Sequence, residues 1–110
     1  MSVSQRVAWP IAKRLPDFPL NARIMQINEH GGHHIQPERV LRFNQYQVGM
    51  TVGQYLDRVV ELSRTKQLTS KRYGNDRMAR LWAMYDLKYD KVQKFIVIRA
   101  EPSTAQFWGG

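Results

Sequence analysis

The rhythm of apolar and polar residues changes several times along the chain, and each change marks an element. Residues 1–21 set Trp9, Ile11, Leu15, Phe18 and Leu20 among Pro10, Pro16 and Pro19. Proline fixes φ and lacks an amide donor, so this stretch predicts an extended proline-rich arm whose apolar side chains lie on the domain or on a neighbouring subunit. Residues 22–28 place Ile24, Met25 and Ile27 in strand rhythm. Residues 29–34 hold two glycines and three histidines, the composition of a turn. Residues 39–46 fit either a second strand or a short helix, with Pro37 suited to a helix's first turn.

From Thr51 the period becomes helical. Val52, Tyr55, Leu56 and Val59 recur on one face while Gln54, Asp57, Arg58 and Glu61 take the other, and Thr51 can cap the free amides, so 52–63 reads as an amphipathic helix. Residues 64–73, RTKQLTSKRY, are polar and basic and read as a loop. Asn75 or Asp76 then caps a second helix with the stripe Met78, Leu81, Trp82 and Tyr85, leaving Arg77, Arg80 and Lys88 off it. A turn at 89–91 leads to a strand over 93–100, where the run Phe95, Ile96, Val97, Ile98 calls for cover on both faces. The tail 101–110 carries Phe107 and Trp108, aromatics that call for a docking partner. No segment repeats another.

The elements together give an α+β class: two amphipathic helices packed on a small antiparallel sheet of 22–28 and 93–100, with 39–46 as a candidate third strand. The domains follow as an arm over 1–21, one α+β domain over 22–100 and the tail. The core expected from the periods is Val52, Tyr55, Leu56, Val59, Met78, Leu81, Trp82, Phe95 and Val97. At 110 residues one domain fits and two do not.

Composition narrows the function classes. There is no cysteine, which excludes disulfides and thiolate metal sites. No apolar run reaches the roughly 20 residues of a membrane span, so a soluble protein of the cytoplasm is expected. The basic N-terminus resembles a transit peptide in charge, but Pro10 and Pro16 interrupt the helix such a signal needs. Seventeen Lys and Arg against nine Asp and Glu give a net charge of +8. From Asp57 to Arg99 eleven basic residues face five acidic ones, so the charge lies in the second half. A field of that sign attracts phosphates and acidic surfaces.

Candidate chemistry is sparse. His30, His33 and His34 with Glu29 crowd one loop and offer metal ligands, but no second cluster completes a structural site, and an ordinary polar turn accounts for them better. Asp86 and Asp90 are spaced to share a helix face, yet Asp86 reads as a surface ion beside Lys88 or Arg80 and Asp90 as the start of a turn. No HExxH, GxSxG or P-loop pattern occurs. The expectation is a protein that is not an enzyme and uses no cofactor; a histidine metal site or nuclease is a third-rank option.

Nucleic-acid binding uses the residues better. Asn75, Arg77 and Arg80 stand at the start of the second helix, where they would probe bases. Arg64, Lys66, Lys71 and Arg72 in the preceding loop, with Lys91 and Lys94 near the last strand, would hold phosphates. DNA is expected ahead of RNA. The rival readings of the same charges are a solvated face and an acidic protein partner.

From Glu38 to Ile98 the chain resembles a set of small uncharacterised phage and mobile-element proteins, through RFNQYQVGMTVGQYLDR and DLKYDKVQKFIVI. The resemblance implies a winged-helix-like helix-helix-strand unit of phage or prophage origin, acting in the host cytoplasm. Residues 51–56 would form the supporting helix and 95–98 a wing strand. Two departures stand out: Lys94 occupies the position where a glycine usually precedes the aromatic, and about ten residues join the helices where a compact helix-turn-helix has three or four. No catalytic residue comes with the resemblance. A protein-contact role, as an inhibitor of a host defence complex or a virion assembly component, is the alternative, with the arm and tail as contacts for a homo-oligomer.

Overall fold

The computed structural model describes residues 14–28 and 36–100. The elements in chain order are β1 (Arg23–Ile27), α1 (Pro37–Phe43), α2 (Val52–Arg64), a 3-10 turn (Lys71–Tyr73), α3 (Asp76–Val92) and β2 (Ile96–Arg99). The class is α+β, with three helices and one two-stranded antiparallel sheet. The expectations for the start of the arm (1–13), the histidine loop (29–35) and the tail (101–110) lie outside the described residues.

Each start follows from local chemistry. Thr51 forms a reciprocal capping box with Gln54, at 3.1 Å from the Gln54 amide to Thr51 Oγ1 and 2.9 Å from the Thr51 amide to Gln54 Oε1. Asn75 caps α3 by accepting the Met78 amide at 2.9 Å. Pro37 opens α1 with Glu38 in its first turn.

The ends of α2 and α3 are alike. Lys66 and Lys94 both sit at φ 65°. The Lys66 and Gln67 amides return to Ser63 and Leu62, and the Lys94 and Phe95 amides return to Lys91 and Asp90. Both ends are Schellman motifs, with a lysine at the left-handed position that glycine occupies at least cost. Glycine would suit that geometry, and Lys94 keeps the turn nonetheless.

β1 and β2 pair from Arg23 opposite Arg99 to Ile27 opposite Ile96, with a bulge between Ile24 and Gln26. The other edge of β1 is covered by the lead into α2. Ile24 donates to the Met50 carbonyl at 2.9 Å and accepts from Gly49 at 2.7 Å. Gly49 itself has φ 92°, which is why a glycine stands there.

The core joins β1, α2, α3 and β2 through Ile24, Val52, Tyr55, Val59, Ala79, Ala83, Leu87 and Ile96. Four expected core residues, Val52, Tyr55, Leu56 and Val59, are buried. The inner face of α3 is different from the one expected. Ala79, Ala83, Asp86, Leu87 and Asp90 point inward, while Leu81 is 42% exposed and Met78, Trp82 and Tyr85 are half-buried. The helix is turned by roughly a third of a turn from the large-apolar stripe. Two small alanines let α2 approach closely, and two aspartates find buried partners, so size and polarity alone misplaced the face. Val97 is 37% exposed and Phe95 only partly covered, so β2 is not enclosed on both sides as expected. Residues 39–46 form no strand: 37–43 is helical, because its inward residues recur at helical spacing. Nor does a turn begin at Tyr89, since α3 runs to Val92.

Candidate functional site

α1 presents Arg39 and Arg42 on one face, three residues apart, and α3 presents Asp86 and Asp90, four apart. The spacings match, and the two faces meet. Arg39 Nη2 donates to Asp90 Oδ1 at 2.5 Å and Arg42 Nε to Asp86 Oδ2 at 2.8 Å, with Arg39 Nη1 3.8 Å from Asp86 Oδ1. The Tyr46 hydroxyl donates to Asp90 Oδ2 at 2.6 Å, and the Tyr73 hydroxyl reaches Asp86 Oδ2 at 3.3 Å. The Arg42 guanidinium lies 4.7 Å over the Tyr73 ring. All four charged side chains are buried.

The network is electrically closed, two cations against two anions. Burial opposes the charge on Arg39, yet Asp86 and Asp90 outweigh it and hold its pKa above the ordinary arginine value. Burial, reinforced by Asp90, pushes Tyr46 well above the ordinary phenol, and burial with Asp86 does the same for Tyr55. Asp86 and Asp90 are thus neither a surface ion nor the start of a turn. Asp57, not Asp86, pairs with Arg80, at 2.7 Å. Lys88 is also buried, and its ammonium meets Asp17 at 2.7 Å.

That pairing leaves much of the surface charge uncompensated. Among the described residues, Asp17, Asp57, Asp76, Asp86 and Asp90 are in ion pairs, and Glu38 accepts both the amide and the hydroxyl of Thr69. The hydrogen bond from the Thr69 side chain holds the Glu38 carboxyl below its usual range.

The expected binding residues separate into groups. Lys66, Lys71 and Arg72 are exposed and form no ion pair with a described carboxylate. Lys66 and Lys71 line one cleft and Arg72 the next, and the two clefts share Thr69, Ser70 and Tyr73, so these three cations form one continuous strip. Arg72 also stacks 4.4 Å over Trp82. Arg64 stands beside the strip but is bound to Asp76 at 2.6 Å. Arg77 is exposed at the start of α3, facing a different groove that it shares with Arg80, Leu20 and Leu81. Asn75 commits its carbonyl to the cap. Lys91 and Lys94 lie at the other end of α3, ~25 Å away along its axis.

Sequence reasoning missed Arg39, Arg42, Asp86, Asp90 and the tyrosines between them. The available signal was the matched spacing of Arg39 with Arg42 and of Asp86 with Asp90, each pair on one helix face. No group of three His, Cys, Asp or Glu among the described residues is placed to hold a metal ion. No described helix is long and apolar enough to cross a membrane. No family model matches the chain, and neither a curated protein nor a solved structure matches it.

Proposed function

We propose that the chain is a small basic phage-type nucleic-acid-binding module, winged-helix-like in its use of α2, α3 and β2, that binds DNA in preference to RNA in the host cytoplasm. The observation that carries this is the strip of Lys66, Lys71 and Arg72, exposed, contiguous and unmatched by carboxylates, beside the N-terminal end of α3. Phosphates are held by flexible cations on one surface, and Lys66 keeps a cation at a left-handed position where glycine would be less strained. Arg77 is the base-probing residue of this reading, because Asn75 caps its helix and Arg80 is engaged by Asp57. Lys91 and Lys94 hold phosphates farther along the same polymer.

Fluorescence anisotropy with random duplex DNA, RNA and single strands at 50 and 200 mM salt tests it. Binding in the micromolar range or tighter that weakens steeply with salt is expected, with the log-log salt slope reduced by about one for each strip cation replaced by glutamine. No binding at 50 mM salt would overturn the proposal.

A second reading is favoured by one observation. The groove between the 14–20 segment and α3 holds Leu20, 55% exposed, and Leu81, 42% exposed, together with Asp17, Arg77 and Arg80. A groove with exposed leucines and a charged rim suits protein contact, with the chain as an inhibitor of a host defence complex or an assembly component.

A further inference from the structure

The cleft between α1 and the 65–75 connection, about 370 Å³ in volume, is lined by Arg42, Arg72, Glu38, Thr69, Ser70 and Tyr73 among others. Arg42 is its most informative member. Its side chain is only 11% exposed, its Nε is held by Asp86 and its plane lies over Tyr73. The terminal Nη groups make no hydrogen bond to any described residue, and unlike Arg39 Nη1 they are not among the enclosed unpaired donors. The guanidinium is therefore fixed on one edge and one face, with its remaining donors lining the cleft. Arg72 comes from the opposite wall, itself braced on Trp82.

The same cleft already accommodates an oxyanion. Glu38 accepts the Thr69 amide at 3.1 Å to each carboxylate oxygen and the Thr69 hydroxyl at 2.5 Å. Arg39 and Arg42 are balanced by Asp90 and Asp86, so Arg72 is the cation of this cleft with no ion pair to a described carboxylate, while Arg42 still offers its Nη donors. Arg39 lines the cleft beside Arg42, with its guanidinium held by Asp90.

We propose that this cleft binds a phosphomonoester: the terminal phosphate of a nucleic-acid strand or of a free mononucleotide, clamped between Arg42 and Arg72 with Glu38 as an internal competitor. For a strand end the proposal rests on the nucleic-acid reading; for a mononucleotide it stands alone. A monoester carries about −1.5 to −2 charge near neutral pH and three acceptor oxygens, so it can neutralise Arg72 and still accept from the Arg42 donors. An internal diester carries one charge and adds little to what Glu38 supplies. Planar two-point contact with phosphate oxygens is the particular property of arginine.

The test uses the full chain and a labelled single-stranded oligonucleotide made with a 5′-phosphate, a 3′-phosphate or hydroxyls at both ends, with adenosine 5′-monophosphate and adenosine as small probes. A phosphorylated end is expected to bind at least about tenfold tighter than its hydroxyl twin. Arg42 is buried and its variants risk unfolding, so two exposed or half-exposed positions carry the test. Arg72→Lys keeps the charge of the strip and should bring the ratio of phosphorylated to hydroxyl oligonucleotide affinity close to one, the ratio rather than either affinity being the readout. Glu38→Gln should widen the preference. Equal binding of all three oligonucleotides, with no binding of adenosine monophosphate, would overturn the phosphate site and leave the nucleic-acid reading intact. Binding of adenosine monophosphate but not adenosine, lost in Arg72→Lys, with no oligonucleotide binding, would support the site and overturn the nucleic-acid reading. A preference unchanged in both variants would overturn the assignment to this cleft.

Discussion

Tyr46 and Tyr55 stack with ring centroids 4.5 Å apart, yet their hydroxyl groups differ in consequence. Tyr46 donates to Asp90, whereas the buried Tyr55 hydroxyl has no hydrogen-bond partner among the described residues. Removing a donor from a buried carboxylate costs about 1.5–3 kcal/mol, whereas removing an unpaired buried hydroxyl is close to neutral. In urea titrations Tyr46→Phe should therefore lose stability and Tyr55→Phe should not; equal losses would show that Tyr55 is bonded after all. The same tyrosines set an alkaline limit. Their folded pKa values lie above the ordinary 10.0, so the stability they add is fully present below pH 10 and is lost as the pH climbs through the folded values, because the unfolded chain releases its phenolic protons first. A pH series of thermal melts should fall off beginning near pH 10, and Tyr46→Phe should flatten that limb.

At the scale of the element, α3 decides how much of the molecule could be read from sequence. Its existence, its Asn75 cap and its approximate start were legible, because capping chemistry is local. Its inner face was not. Large apolar side chains at 78, 81, 82 and 85 make a regular stripe, but Ala79 and Ala83 admit α2 more closely, and Asp86 and Asp90 are drawn in by arginines 44 or more residues away. The orientation has a direct check: Leu87→Ala, at a position with no exposure, should cost roughly 2–5 kcal/mol, while Leu81→Ala, on the exposed side, should stay within about 1 kcal/mol. The reverse order would restore the stripe as the inner face. The helix ends offer a second check. A non-glycine residue in the left-handed region is strained by roughly 1–2 kcal/mol, partly offset by the greater freedom glycine gains when unfolded. Lys94→Gly and Lys66→Gly should each raise the melting temperature. If nucleic-acid binding is their purpose, each should also lower the salt slope of binding by about one.

For the whole molecule, the net charge of +8 understates how the charge is distributed. Two arginines and two aspartates cancel inside, three further acids are clasped by Arg64, Arg80 and Lys88, and the cations of the 65–75 connection stay unmatched. That separation of charge is the physical basis for both proposals, and it arises only because helices distant in sequence meet. The proposed base-probing group is thinned for the same reason: Arg80 lies close enough to Asp57 to be held, a contact across 23 residues.

The sequence by itself determined what depends on neighbours along the chain: strands within 22–28 and 93–100, the caps at Thr51 and Asn75, the helical face of α2, and the excess of positive charge in the second half. Only the tertiary structure decided which face of α3 turns inward, that 37–43 is a helix rather than a strand, and that Arg39 and Arg42 belong to Asp86 and Asp90. The reason is that a charged residue reads as exposed until its partner is known, since burial of one ion becomes tolerable only through a second ion that the fold, not the local sequence, delivers.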